Sequence, residues 1–229
     1  MGKLTERIGR MKSPEGRAYL LKRLLGVLGI GMQDFHLVVQ PVPQKPLAGR
    51  LGRNIEIRAI GPDAYREVWF PRPRKFIDLR YAQGARCWVA FKQGEAVGCI
   101  WIMPGAFRED IARIRVVPLP EGETAWDFDI YIDESMRMGR LFGQLWDVAS
   151  TWMREQGFRW TASRIDATNE ASLRAHERLG AKRALHVRIY QLGGFELLRL
   201  DGRFRLNPSR ARWLDIPIPL PDELKPTDA

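Results

Sequence analysis

The chain of 229 residues is 45% hydrophobic and holds 8 Trp and 10 Phe, enough for one core of about 150 to 180 residues with appendages. No apolar run approaches the roughly 20 residues that span a bilayer, so an integral membrane protein is excluded from the expectations. A formal charge of +10 asks for an anionic partner, and a polyanionic cofactor, nucleic acid, an acidic carrier protein or an anionic membrane would each serve.

The only cysteines, Cys87 and Cys99, lack metal-ligand spacing and have no signal peptide before them. Reduced thiols in a cytoplasmic protein with no bound metal are therefore expected, with core packing as their role. The first 60 residues carry eleven Lys/Arg against four Asp/Glu. Within them Tyr19, Leu20, Leu21, Leu24, Leu25, Val27 and Leu28 recur at helical spacing. Ser13 and Pro14 suit an N-cap and first position, which predicts an amphipathic helix over 14–28. Such a helix packs across the domain or, because Lys12, Arg17, Lys22 and Arg23 flank its stripe, docks on a membrane surface or an acyl-carrier protein. The proline-punctuated run 40–46 reads as a stiff linker. The expected division is a basic N-terminal helix and linker over 1–46, one domain over 47–206, and an extended Pro-rich tail over 207–229.

Residues 54–60 alternate as a strand, followed by a short helical stretch ending near Phe70 and a basic loop at 71–75. Segments 86–92 and 95–103 read as a hairpin around Gln93 and Gly94. A further strand over 111–117 is placed between that hairpin and the next strand, 126–132. On 126–132 the period-two rule puts Asp127, Asp129 and Tyr131 on one face and Phe128, Ile130 and Ile132 on the other. A turn at 133–139 opens a helix over 138–156, with Leu141, Leu145, Val148 and Trp152 on its packed side. Because this helix leaves a strand through a basic turn containing Gly139, its free N–H groups suit a phosphate. A strand over 158–165 precedes a short helix capped by Thr168 or Asn169 and lined by Leu173, His176 and Leu179. Segments 183–191 and 195–200 form a closing hairpin around Gly193 and Gly194. Antiparallel strands leading into a βαβ unit give an α+β fold, a central twisted mixed sheet flanked by helices.

The stretch 126–181 resembles the acetyl-coenzyme A-binding half of the N-acetyltransferase superfamily called GNAT. That family's strand-turn-helix reads apolar-x-Val-x-Pro-x-Tyr-Arg-Gly-x-Gly-x-Gly, and Ile130, Ile132, Glu134, Met136, Arg137, Gly139, Arg140 and Phe142 lie along it. Its second motif, Asn-x-x-(Ala/Ser)-x-x-x-Tyr-x-x-x-Gly-Phe, is matched by Asn169, Ser172, Gly180 and Ala181, with His176 where Tyr is usual. The resemblance implies an N-acyltransferase using acetyl-CoA or another acyl-CoA on a small-molecule or protein amine. It implies that main-chain groups of Ile130, Tyr131 and Ile132 meet the pantetheine arm in a splay between two strands. Arg137, Met138, Gly139, Arg140, Leu141 and Phe142 would cradle the pyrophosphate, with Arg140 and Phe142 standing where the family has Gly. Asn169 and Ser172 would bind the cofactor arm, and Asp127 or Asp129 would be the general base. His176 would return a proton to the thiolate, as a histidine can near neutral pH. In such a fold the loop holding Arg72, Arg74 and Lys75 borders the acceptor site.

Structural readings stand beside these. Both carboxylates can pair with nearby arginines, His176 can be a satisfied helix-face histidine, and a chain without the usual glycines can be a ligand- or partner-binding module that does not turn over. Nucleic-acid binding rests on bulk charge alone, since no zinc-finger spacing, aromatic RNA-binding signature or helix-turn-helix accompanies it.

Overall fold

The computed structural model describes residues 26, 30–48, 54–137, 139–208 and 212–225. The helix expected over 14–28 lies outside the described residues, apart from Gly26. Strands are β1 Gly31–Pro41, β2 Ile55–Ile60, β3 Arg86–Lys92, β4 Glu95–Met103, β5 Phe107–Arg108, β6 Ile114–Pro118, β7 Thr124–Ile132, β8 Trp160–Asp166, β9 Lys182–Leu192, β10 Phe195–Leu200, β11 Arg203–Asn207 and β12 Leu214–Ile218. The α-helices among the described residues are α1 Arg74–Ala82, α2 Leu141–Glu155 and α3 Glu170–Arg178.

Nine strands form one mixed sheet in the order β11-β10-β9-β1-β8-β7-β4-β3-β2, and β12, β6 and β5 form a small second sheet. In the large sheet only β7 and β8 pair in parallel, joined by a crossover through α2. The expected mixed sheet flanked by helices is thus the observed architecture. The β3–β4 hairpin turns at Gln93 and Gly94, whose φ values of 52° and 85° are what a tight two-residue hairpin needs.

Each sheet face has its own cover. On one face Trp88, Ala90, Ile100, Ile102 and Ala125 pack against Leu141, Leu145, Trp146, Ala149 and Met153 of α2. On the other, Leu37, Val39, Trp126, Ala162, Val187 and Ile189 pack against Ile114, Val116, Ile216 and Ile218 of the small sheet. Beside that contact Ile77 of α1 closes over Cys87, Val89, Cys99 and Trp101. Cys87 and Cys99 are free and buried, and burial pushes the Cys87 thiol well up, as a packing role requires.

Several expectations are corrected. Residues 31–41, assigned to the appendage before the linker, form β1 inside the sheet between β8 and β9. Its second half is buried on both faces, so Leu37, Val38 and Val39 are consecutive rather than alternating, and Pro41 is tolerated because it ends the strand. Residues 111–117 do not separate the hairpin from β7: β4 pairs directly with β7, and β6 joins the small sheet. The loop at 71–75 runs into α1, with Pro73 as its N-cap at φ −55°. In the tail, β12 pairs in parallel with β6 and buries Ile216 and Ile218. Helix α2 is rotated from the expected face, burying Trp146, Ala149 and Met153 while Val148 and Trp152 stay half-buried.

Candidate active site

Strands β7 and β8 pair from Thr124 opposite Trp160 to Asp127 opposite Ser163 and then diverge. At the point of divergence β7 is irregular. Between Phe128 opposite Trp101 and Tyr131 opposite Cys99 it takes one residue more than β4, and Asp129 adopts φ 51°. An extra residue in one strand is a β-bulge, and it reverses which face later side chains occupy. Ala125, Ile130 and Ile132 consequently share the α2 face, whereas Trp126, Phe128 and Tyr131 lie on the opposite one. The expectation that Asp127, Asp129 and Tyr131 share a face is therefore overturned, because strict alternation holds only in an unbulged strand.

Asp127 points to the helix side and is 1% exposed. Thr161 Oγ1 donates to its Oδ2 at 2.7 Å, and Ser163 Oγ donates to the same oxygen. From α3, His176 brings Nε2 to 3.8 Å from Asp127 Oδ1, too long for a hydrogen bond but within ion-pair range, so this buried nitrogen has no hydrogen-bond partner among the described residues. Its Nδ1 lies 2.9 Å from the Ser172 carbonyl oxygen. Nδ1 thus has an acceptor at hydrogen-bond distance, and Nε2 faces a carboxylate at ion-pair distance. Burial draws the His176 pKa down most strongly, but the Asp127 carboxylate and the Ser172 carbonyl together hold it above its ordinary 6.5. The edge of Trp146 closes the pair from above, ring centroids 6.0 Å apart.

Asp129 points the other way. Arg72 binds its carboxylate with Nε and Nη2, at 3.1 Å and 2.8 Å to Oδ1, and Arg80 donates to Oδ2 at 2.6 Å. Arg80 is buried, lies over the Trp101 and Phe128 rings, and reaches Asp110 at 3.7 Å. Burial alone would raise the Asp129 pKa, but the two guanidiniums outweigh it and hold the carboxyl below its ordinary value. Arg72 is thereby engaged, and Arg74 donates to the Tyr65 and Arg66 carbonyls.

The turn before α2 is built on itself. Asp133 caps a 3-10 turn over Glu134–Met136, and Arg137 spans Glu134 Oε1 at 3.1 Å and the Ile132 carbonyl at 3.3 Å. Arg137 is thus tied back to the turn. Met138 lies outside the described residues. The N-cap of α2 is Arg140, whose side chain makes no capping bond, so among the described residues the N–H groups of the first turn have no side-chain cap. A cavity of about 620 Å³ opens there, lined by Ala48, Gly139, Arg140, Phe142, Gly143 and Arg178 among others. Leu47 and Ala48 amides both donate to the Asp147 carboxylate and press this segment onto the helix. A Cβ at Gly143 would lie 2.8 Å from the Ala48 Cβ. At the start of α3, Asn169 Oδ1 accepts the Ser172 amide at 3.1 Å, the cap expected of it.

The fold therefore gathers Asp127, His176, Asn169 and Ser172 beside the splay, and Gly139, Arg140, Leu141 and Phe142 at the uncapped helix end. It sends Asp129 and Tyr131 to the far side. Thr161, Ser163, Ala48 and Arg178 were not anticipated. A Thr-x-Ser pattern on a strand known to pair beside Asp127 would have signalled the first two, whereas Ala48 reaches the site only through tertiary packing.

The acetyltransferase (GNAT) family model matches residues 55–181, more than half of the chain. No curated protein matches the sequence. Among solved structures, one of a Drosophila protein is 18% identical with a TM-score of 0.50, covering 77% of this chain and 57% of that one. A tandem GNAT protein from the clavulanic acid biosynthesis pathway is 15% identical, with a TM-score of 0.45 and coverage of 75% and 56%. A GNAT family acetyltransferase from Elizabethkingia anophelis with acetyl-CoA bound is 14% identical, with a TM-score of 0.42 and coverage of 56% and 75%. The chain thus spans little more than half the length of the first two, and at 18% identity the likeness to the Drosophila protein bears on the fold alone. Family membership rests on the match over 55–181: the chain belongs to the acetyltransferase (GNAT) family.

Proposed function

We propose that the protein is an N-acyltransferase that moves an acyl group, most simply acetyl, from acyl-CoA to the amine of a small molecule or protein. The observation that carries this reading is the buried His176 and Asp127 pair at the point where β7 and β8 part. The donor's anionic end fits the chain on two counts: the first turn of α2 has no side-chain cap, and Arg140 and Arg178 line the cavity in front of it. Gly139, Arg140, Leu141, Phe142 and Gly143 would hold that end, and the main chain of Ile130 to Ile132 with the Asn169 amide would hold the arm. When bound, the donor supplies an activated thioester.

The chain's own groups do the rest. Asp127, fixed by Thr161 and Ser163, raises the His176 pKa against the pull of burial and so favours a proton on the ring in a site shielded from water. The main-chain N–H groups exposed by the splay provide donors for developing negative charge. Of the two carboxylates Asp129 is the poorer base, because two guanidiniums stabilise its ionised form. Binding an anionic donor also accounts for part of the positive charge. Among the described residues no helix is long and apolar enough to cross a membrane, in keeping with a water-soluble donor.

Calorimetry with acetyl-CoA tests the reading: saturable binding is expected, and no heat at millimolar ligand would sink it. His176→Phe separates an enzyme from a module that binds without turnover. In an enzyme it abolishes thiol release from acetyl-CoA in the presence of an amine while binding persists.

A further inference from the structure

The helix side of the large sheet is covered unevenly. Helix α2 lies over β3, β4 and β7, and α3 packs Leu173 against Val38 of β1 and Ile165 of β8. Over β9, β10 and β11 there is no helix among the described residues. Strand register shows what this leaves bare: Leu192 is opposite Phe195, Leu197 opposite Leu206, and Arg199 opposite Phe204. Leu192, Phe195, Leu197, Phe204 and Leu206 therefore form one contiguous face, and they are 54, 56, 36, 61 and 63% exposed. The reverse side of the same strands is packed, with Val187, Ile189 and Leu198 fully buried against the small sheet. So broad an apolar surface on one side of a folded sheet marks a docking site.

We propose that the occupant is the chain's own segment 14–28, seated through Leu20, Leu21, Leu24, Leu25 and Leu28. The point of entry argues for it. Strand β1 starts at Gly31, paired with Gln191, one residue from Leu192. The chain coming from Leu28 therefore arrives where the apolar face begins. Of the two sides it could turn onto, one is filled by β6 and β12. Dimensions agree as well: a helix over 14–28 is about 22 Å long at about 1.5 Å per residue, and the six residues of β10 extend about 20 Å. Lys22 and Arg23, at the border of the stripe, would remain in water. A second copy fits less well, because Arg199, which lies on this face over Phe204 and makes no ion pair among the described residues, would meet its own duplicate. An anionic membrane would accept that arginine but leave the leucine stripe of 14–28 without a partner.

The test uses the full chain. Leu197→Asp with Leu206→Asp removes the sheet side of the contact, and Leu21→Asp with Leu25→Asp removes the other. Each pair should speed trypsin cleavage at Arg17, Lys22 and Arg23 about tenfold by opening a protected segment and lower the melting temperature by about 5 °C. The four substitutions together should do little more than either pair, since both break one contact. Unchanged cleavage and melting with either pair would overturn the proposal, as would fully additive effects, which separate sites give. Wild-type sedimentation with phosphatidylserine vesicles, or a dimer mass in light scattering, that is lost with Leu197→Asp and Leu206→Asp would overturn it in favour of a membrane or a second copy.

Discussion

Asp127 and Asp129 stand two residues apart on one strand and live in opposite worlds. The first is enclosed with two hydroxyls and an imidazole on the helix side, and the second is clamped by Arg72 and Arg80 on the other. One bulge produces the difference, since an unbroken strand would have aimed both the same way. Environment separates them: the carboxylate beside the histidine raises that neighbour's pKa, whereas the one held by two guanidiniums is stabilised in its charged form and braces β7 against Arg80 of α1.

The largest expected effect breaks the brace. Arg80→Met leaves the Asp129 carboxylate mostly buried with one guanidinium fewer, and such a loss costs about 3–5 kcal/mol. Urea denaturation reads it, and a change under about 1 kcal/mol would mean that Arg72 alone suffices. Next, Asp127→Asn keeps the shape but removes the negative charge that raises the His176 pKa. The rate of thiol release from acetyl-CoA with a screened amine should fall about a hundredfold, equivalent to about 2.7 kcal/mol in the barrier. If Asp129→Asn slowed the reaction as much while Asp127→Asn did not, the two roles would be reversed.

Gly143→Ala should cost about 1–3 kcal/mol, because the new methyl displaces Ala48 from α2 and loosens the bonds from Leu47 and Ala48 to Asp147. Thermal melting would show it, and a wild-type melting curve would mean that the segment yields freely. The finest test is the pH dependence of stability. His176 has a folded pKa raised above 6.5, so its contribution is complete below 6.5 and fades as pH rises through the raised value. Asp129 has a lowered one, so its contribution is complete above 3.8 and fades as pH falls through the lowered value. His176→Phe should flatten only the upper limb and Asp129→Asn only the lower, and a single shared limb would refute the separation.

Motifs with local causes were legible. Gln93 and Gly94 fix a hairpin, Asn169 caps α3, and the spacing from Asn169 to His176 places the imidazole on the same helix face as Leu173. What remained hidden depends on partners distant in the chain. Nothing within 126–132 announces that β7 needs an extra residue to match β4. The run 31–41 reads as an approach to a linker because Pro41 and the prolines that follow it are local signals, while its place inside the sheet comes from β8 and β9. Pro73 likewise reads as a breaker, although a proline entering α1 is compatible with the helix that follows.

The position of β1 also governs the order in which the molecule can assemble. Val39 pairs with Ala162 on one side and Lys182 on the other, so the earliest strand among the described residues is completed by some of the later ones. During synthesis the edges of β1 have no mates until most of the chain has emerged, and a strand with apolar residues on both faces is then open to wrong pairing. Such long-range closure slows folding relative to hairpins such as β3 and β4, which can form as soon as their turn is made.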